Sequence, residues 1–243
     1  MDLQGQRVLV TGSTAGIGQE AAKLFARHGA TVIVTGRDPD RGAHTVAAIQ
    51  AEGGSAEFVA ADLGYIDSVR ELAAHAGAVD VLVNNAGTHT AGATLEQDVD
   101  TFDETFNVDV RAPFFLAAAV LPAMIARGSG AIVNVSGAAA SVGVPVAPAA
   151  AAAKAALESL TRSWAAAFGT NGVRVNAVAP GPTHTEATTS LLGDLLDHLA
   201  SATTLGRTAA PSEIAEAIVF LASPRASYIT GATVAVDGGY TAI

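Results

Sequence analysis

The chain has 243 residues, half of them hydrophobic, which suits one compact domain over 1–243 with a large core. Its formal net charge of −10, with no cluster of Lys and Arg, argues against a nucleic-acid partner. The absence of cysteine excludes disulfides, thiolate metal sites and cysteine nucleophiles, and no metal site is expected.

In chain order, Met1 to Arg7 has no basic segment followed by an apolar one, so no signal peptide is expected. Arg7-Val8-Leu9-Val10-Thr11 then reads as a short strand that runs into Gly12-Ser13-Thr14-Ala15-Gly16-Ile17-Gly18. Glycines permit positive φ, and without a Cβ they let a pyrophosphate lie against the backbone at a helix N-terminus. Ile17, Ala21, Ala22, Leu24 and Phe25 recur at helical spacing until His28-Gly29. Alone, the turn leaves two readings open, a dinucleotide cradle and an ordinary strand-to-helix turn. Further strands are expected at 31–35, 57–60, 81–84, 131–135, 174–178 and 233–236. Helices are expected at 41–52, 66–76, 101–127, 151–168 and 212–222. Most strand runs are continuously apolar, as parallel strands covered on both faces should be. The fold class expected is α/β, a single-domain Rossmann-type doubly wound parallel sheet with ligands at the carboxyl ends of its strands. Residues 128–153 carry no charge and are long enough to cross a bilayer. Gly130, Asn134, Gly137, Gly143, Pro145 and Pro148 interrupt them, so a strand, a loop and a helix start are expected there, and no membrane. The protein is expected to be soluble and cytoplasmic.

Eight segments, taken in order, resemble the short-chain dehydrogenase/reductase family over nearly the whole chain. They are Thr11-Gly12 to Gly18, Asp62-Leu63, Asn84-Asn85-Ala86-Gly87, Asn107, the strand at 132–135, Lys154, Pro180-Gly181 with Thr185, and Asp237-Gly238-Gly239. The resemblance implies a nicotinamide dinucleotide held by Gly12, Ser13, Thr14, Gly16, Ile17 and Gly18 in the turn and by Asp62 and Leu63 at the adenine. It implies Asn85, Ala86 and Gly87 at the ribose, and Lys154, Pro180, Gly181, Thr183 and Thr185 towards the nicotinamide. Read without the resemblance, Asp62 suits a helix N-cap, and 180–185 suits a turn that contains threonines. At the end of the second strand Gly36 is followed by Arg37, whose planar fork suits a 2′-phosphate, so NADP(H) is favoured over NAD(H). The competing reading pairs Arg37 with Asp38 or Asp40.

The resemblance also implies a catalytic set. A Tyr four residues before the Lys donates a proton to the substrate carbonyl while hydride arrives from the nicotinamide, and the Lys cation lowers the Tyr pKa. A Ser thirteen residues before the Tyr hydrogen-bonds the carbonyl oxygen, and an Asn on the long helix holds a water beside the Lys. Lys154 and Asn107 match, but Ala150 stands at the Tyr position and Gly137 at the Ser position. General acid catalysis contributes about 10²–10⁴ and one oxyanion donor about 10²–10³, so the double loss should cost about 10⁴ or more. Candidate substitutes are Ser136, one residue off and on the opposite face of an extended strand, Ser141, and the loop histidines His89 and His184. A water in the space left by Ala150 could also link Lys154 to a substrate. None of Tyr65, Tyr228 and Tyr240 falls at a strand end facing the nicotinamide.

The function expected is an NADP(H)-dependent oxidoreductase of the carbonyl/alcohol class with non-standard or impaired proton transfer. Two alternatives stand beside it: a non-redox or non-catalytic binding protein on the reductase fold, and a reductase deliberately inactivated at two positions. Residues 183–204, with Leu191, Leu192, Leu195, Leu196 and Leu199, have the pattern of a lid over an apolar or cyclic small molecule. The competing reading packs those leucines onto the domain. The resemblance implies a homo-oligomer, tetramer or dimer, built through the long helices and the C-terminal strand, with the small residues at 151–156 allowing close packing.

Overall fold

The computed structural model describes residues 3–88 and 90–242. Seven parallel strands form one sheet: β1 (Arg7–Val10), β2 (Thr31–Gly36), β3 (Ser55–Ala60), β4 (Val81–Asn84), β5 (Gly130–Val135), β6 (Val173–Pro180) and β7 (Thr233–Val236). Their order is β3-β2-β1-β4-β5-β6-β7, so the chain reverses its direction of winding between β1 and β4. This reversal opens a crevice at the carboxyl ends of β1 and β4, where doubly wound sheets bind ligands.

Helices cover both faces. Val8, Val10, Val32 and Val34 point to one face, where α1 (Gly16–Arg27), α2 (Pro39–Ala51) and α9 (Pro211–Ala222) bury Phe25, Ile49, Ile214 and Ile218. Leu9, Ile33, Leu82 and Ile132 point to the other. There they meet α3 (Ile66–Ala76), α5 (Ala112–Arg127) and α6 (Pro148–Phe168). Burial on both faces is why the strands are continuously apolar and not alternating. The expected strands and helices all form, with shifts of one to three residues at about half of the ends. The uncharged segment at 128–153 becomes β5, a loop and the first turns of α6.

Two departures from the expected pattern matter for the site. The long helix is not uniform: α4 (Val99–Phe106) passes into a π-helical turn (Asn107–Arg111) before α5. This 29-residue run is long and apolar enough to cross a membrane by length and composition, but Leu116, Val120 and Met124 are buried in the core. The lid pattern is also two helices, α7 (Glu186–Leu192) and α8 (Asp194–Ser201), broken at Gly193 with φ +50°. Leu196 is buried, whereas Leu191 and Leu195 are exposed, so the lid does not pack all its leucines onto the domain.

At the far edge, Arg174 on β6 gathers the end of α9. Its guanidinium donates to the carbonyls of Leu221, Ala222, Ser223 and Ala226 at 2.6–3.1 Å. Burial lowers its pKa, while the cation meets the negative end of the helix dipole.

Candidate active site

The crevice is stitched by short polar contacts between the β1 and β4 loops. Thr11 Oγ1 accepts from the amides of Asn85 and Ala86 at 2.9 and 3.0 Å. Asn85 Nδ2 donates to the carbonyls of Thr11 and Gly12 at 2.9 and 3.1 Å. The loops are so close that a Cβ on Gly12, where φ is +62°, would lie 2.8 Å from Ala86 Cα. On Gly18 a Cβ would lie 2.3 Å from Asn85 Nδ2 and 2.4 Å from the Gly12 carbonyl oxygen. Helix α1 then starts with no side-chain cap at Ala15 and no acid in its first turn. Uncapped N–H donors behind a bare glycine backbone fit the pyrophosphate of a dinucleotide.

The expected cofactor residues do not all face that cradle. Ser13 is fully buried; its hydroxyl donates to the Val10 carbonyl at 2.7 Å and accepts from the Thr35 amide, and its own amide donates to the Thr35 carbonyl. Its polar groups fasten the turn to β1 and β2 and are not directed at a phosphate. Thr14 packs on Gly36, where a Cβ would lie 2.8 Å from Thr14 Cγ2. Asp62 is not an N-cap, since Tyr65 has that position for α3; its Oδ1 accepts from the Gly64 amide at 2.9 Å. The Leu63 side chain is buried in the α3–α5 cluster. Thr183 is buried with its hydroxyl donating to the Gly181 carbonyl, and Gly181 is a close approach, its Cβ position 2.6 Å from Asp237 Cα. Thr185 caps α7, reciprocally with Thr188. Arg37 is exposed and makes no ion pair among the described residues, while Asp38 accepts from the amides of Asp40 and Arg41 as the cap of α2. The competing pairing of Arg37 with Asp38 or Asp40 is therefore not formed.

Lys154 reaches the crevice from the second turn of α6 and meets a carboxylate there. Its Nζ lies 3.0 Å from Oδ2 of Asp109, which is fully buried. Asp109 Oδ1 accepts from the Thr88 amide at 2.7 Å, and Oδ2 has no hydrogen-bond partner among the described residues beyond this ion contact. Asn107, expected beside Lys154, is two residues earlier, at the join of α4 and the π turn. Gly87 serves this contact directly, because a Cβ there would lie 2.8 Å from Lys154 Nζ and 3.4 Å from Asp109 Oδ2. Space for the ammonium is what its missing side chain provides. Beneath lies a buried relay from Asn84 through Asn134 to Thr161, with bonds of 2.8 Å, that ties β4, β5 and α6 together.

The positions where the resemblance implies a Ser and a Tyr hold small residues with room around them. A Cβ on Gly137 would meet nothing closer than 4.0 Å, and its φ of 170° is extended backbone that any residue adopts. Ala150 is half-buried in the first turn of α6. Ser136 does not fill in: its hydroxyl is within 2.9 Å of Glu158 Oε1 and 3.2 Å of the Val178 carbonyl. Ser141 lines, with Glu158, Arg162 and Asp237, a separate cavity of about 310 Å³ between α6 and β7. His184 is exposed, with its amide donating to the Ala209 carbonyl, and His89 lies outside the described residues. Tyr65 and Tyr228 are exposed, and Tyr240 is in the turn after β7.

Comparison with known proteins agrees with this architecture. The family model described as enoyl-(acyl carrier protein) reductase matches residues 12–241. The chain is 43% identical over 241 residues to the cis-4-hydroxycyclohexanecarboxylate dehydrogenase of Sinomonas cyclohexanicum, covering 97% of this chain and 96% of that protein. A solved structure described as a short chain dehydrogenase/reductase family protein is 54% identical, with a TM-score of 0.95 and all of both chains covered. The gluconate 5-dehydrogenase of Burkholderia cenocepacia J2315, solved in complex with NADP and tartrate, is 33% identical with a TM-score of 0.92, covering 100% of this chain and 97% of that one.

Proposed function

The chain belongs to the short-chain dehydrogenase/reductase family, and from that premise we propose an NADP(H)-dependent oxidoreductase of carbonyls or alcohols whose proton transfer lacks the usual acid. The bound nicotinamide would supply or accept hydride at the substrate carbon. The glycine turn and the bare α1 N-terminus would hold the pyrophosphate, and unpaired Arg37 would hold a 2′-phosphate. The NADP complex of the Burkholderia relative supports that choice. The exposed lid leucines, and a relative named for a cyclic alcohol acid, support an apolar or cyclic small-molecule substrate. A homo-oligomer fits the exposed aromatics of the long helices, Phe102 on α4 and Phe114 and Phe115 on α5.

The observation that carries the mechanistic reading is the buried Lys154–Asp109 pair beside two empty positions. A lysine paired with a carboxylate offers little net charge to a developing alkoxide, and neither Gly137 nor Ala150 carries a proton. Proton transfer would then run from Lys154 through a solvent molecule in the volume left by Ala150. The same neutral pair favours the second reading, a dinucleotide-binding protein that turns over slowly or not at all. Titration of the protein with NADPH and with NADH, followed by nucleotide fluorescence and by hydride transfer to a panel of cyclic ketones, separates them. Saturable binding with slow transfer is expected. Binding with no transfer across the panel selects the non-catalytic reading, and no binding of either dinucleotide overturns both.

A further inference from the structure

Two arginines stand at the carboxyl end of β2, and only Arg37 lacks an ion-pair partner among the described residues. Arg41, in the first turn of α2, is held by Glu186, the first residue of the lid helix α7. The two are 145 residues apart, so this bond crosses from the β2 end of the cleft to the lid. A second contact has the same sense. Thr185 Cγ2, one residue before Glu186, lies 3.2 Å from the Cβ position on Gly16 of the glycine turn. The lid thus rests on the turn at one point and is tied to α2 at another. Both partners are exposed, with side-chain exposures of 47% and 71%, so the pair is of the weak kind that a stronger ligand displaces.

We propose that Arg41 is a second ligand for the 2′-phosphate of NADP(H), that Glu186 competes for it, and that the 2′ group of the dinucleotide thereby sets whether α7 is tied down. The inference rests on the NADP(H) reading. A 2′-hydroxyl offers Arg41 no anion, so the Arg41–Glu186 bond persists with NAD(H). A 2′-phosphate takes the guanidinium by charge-assisted, bidentate bonds and repels the Glu186 carboxylate. Glu186 is then a specificity-determining residue that weakens NADP(H) binding and is indifferent to NAD(H).

The test is a set of NADPH and NADH dissociation constants, read by nucleotide fluorescence at low and high salt. The proteins are the wild type, Glu186→Gln, Arg41→Gln and the double variant, with hydrogen exchange followed over residues 186–201. Glu186→Gln is expected to tighten NADPH about fivefold, with NADH unchanged. Arg41→Gln should weaken NADPH about tenfold, and most of the Glu186→Gln gain should vanish in its presence. The gain should shrink at high salt, and NADPH, unlike NADH, should speed exchange in α7. A wild type that prefers NADPH while both variants leave its affinity unchanged, or move NADPH and NADH equally, overturns the inference and leaves the NADP(H) reading standing. A wild type that binds NADH more tightly than NADPH overturns the NADP(H) reading and the inference with it.

Discussion

Asp109 changes what Lys154 can do. A buried carboxylate is costly unless paired, and here the ammonium 3.0 Å away and the Thr88 amide pair it. A phenol placed at residue 150 would meet a lysine whose charge is already offset, so its pKa would fall less than beside a free cation. Counting back from Lys154 put the small residues Gly137 and Ala150 at the expected Ser and Tyr positions, and there is room around Gly137. The sequence did not show Asp109 against Lys154, because the π turn over 107–111 leaves no periodic trace. The one usable signal was Asp109 itself, an acid two residues after Asn107 that on burial needs a cation. The close approach at Gly12 and Gly18 was legible in the glycines, but Ser13 was not legible as an inward-facing clamp. Gly18 supplies a test of the cradle. Gly18→Ala must displace Asn85 or the Gly12 backbone, which is expected to cost about 1–3 kcal/mol of stability and to weaken NADPH at least about tenfold. Calorimetry with a nucleotide titration reads both, and a variant with wild-type affinity would show that the loops yield without loss.

At the scale of elements, each strand and helix was legible because its burial is local to its own pattern, as in the apolar runs of β1 and β2. The lid was only half legible. Its leucines showed a helix, but Gly193 divides it, and the Arg41–Glu186 tie spans 145 residues that no local pattern connects. The loop leading from the lid into α9 is fixed by charge. Glu213 takes both Arg207 nitrogens at 2.7 Å and accepts from the Ala210 amide at 2.8 Å. The Arg207 guanidinium first, then that amide, bring the Glu213 carboxyl down to about 2. Since the folded pKa is below the unfolded value of about 4.3, this stabilisation is present above that value and is lost as pH falls towards about 2. Glu213→Gln is therefore expected to melt at a lower temperature than the wild type at pH 7, with the gap closing near pH 2. A gap that does not change between those pH values would show that the carboxylate charge contributes nothing.

At the scale of the whole molecule, the reversal between β1 and β4 brings the glycine turn, the Asn84–Gly87 loop and Lys154 together from segments up to 140 residues apart. Phe102 on α4 and Phe114 and Phe115 on α5 are each about two-fifths exposed, and Phe114 and Phe115 form an edge-to-face pair that suits contact between copies. Phe114→Asp with Phe115→Asp is expected to lower the particle mass in light scattering, and an unchanged mass would place the contact elsewhere. On the proposed mechanism the site lacks its proton donors, and Asp109 neutralises the cation they would need. NADPH-dependent carbonyl reduction by Gly137→Ser/Ala150→Tyr, with and without Asp109→Asn, tests it most directly. The expected result is a slow wild type, a modest gain in the double variant and a further gain of about tenfold or more in the triple, reaching about 10²–10⁴ over the wild type. A wild type as fast as the triple variant would contradict the account.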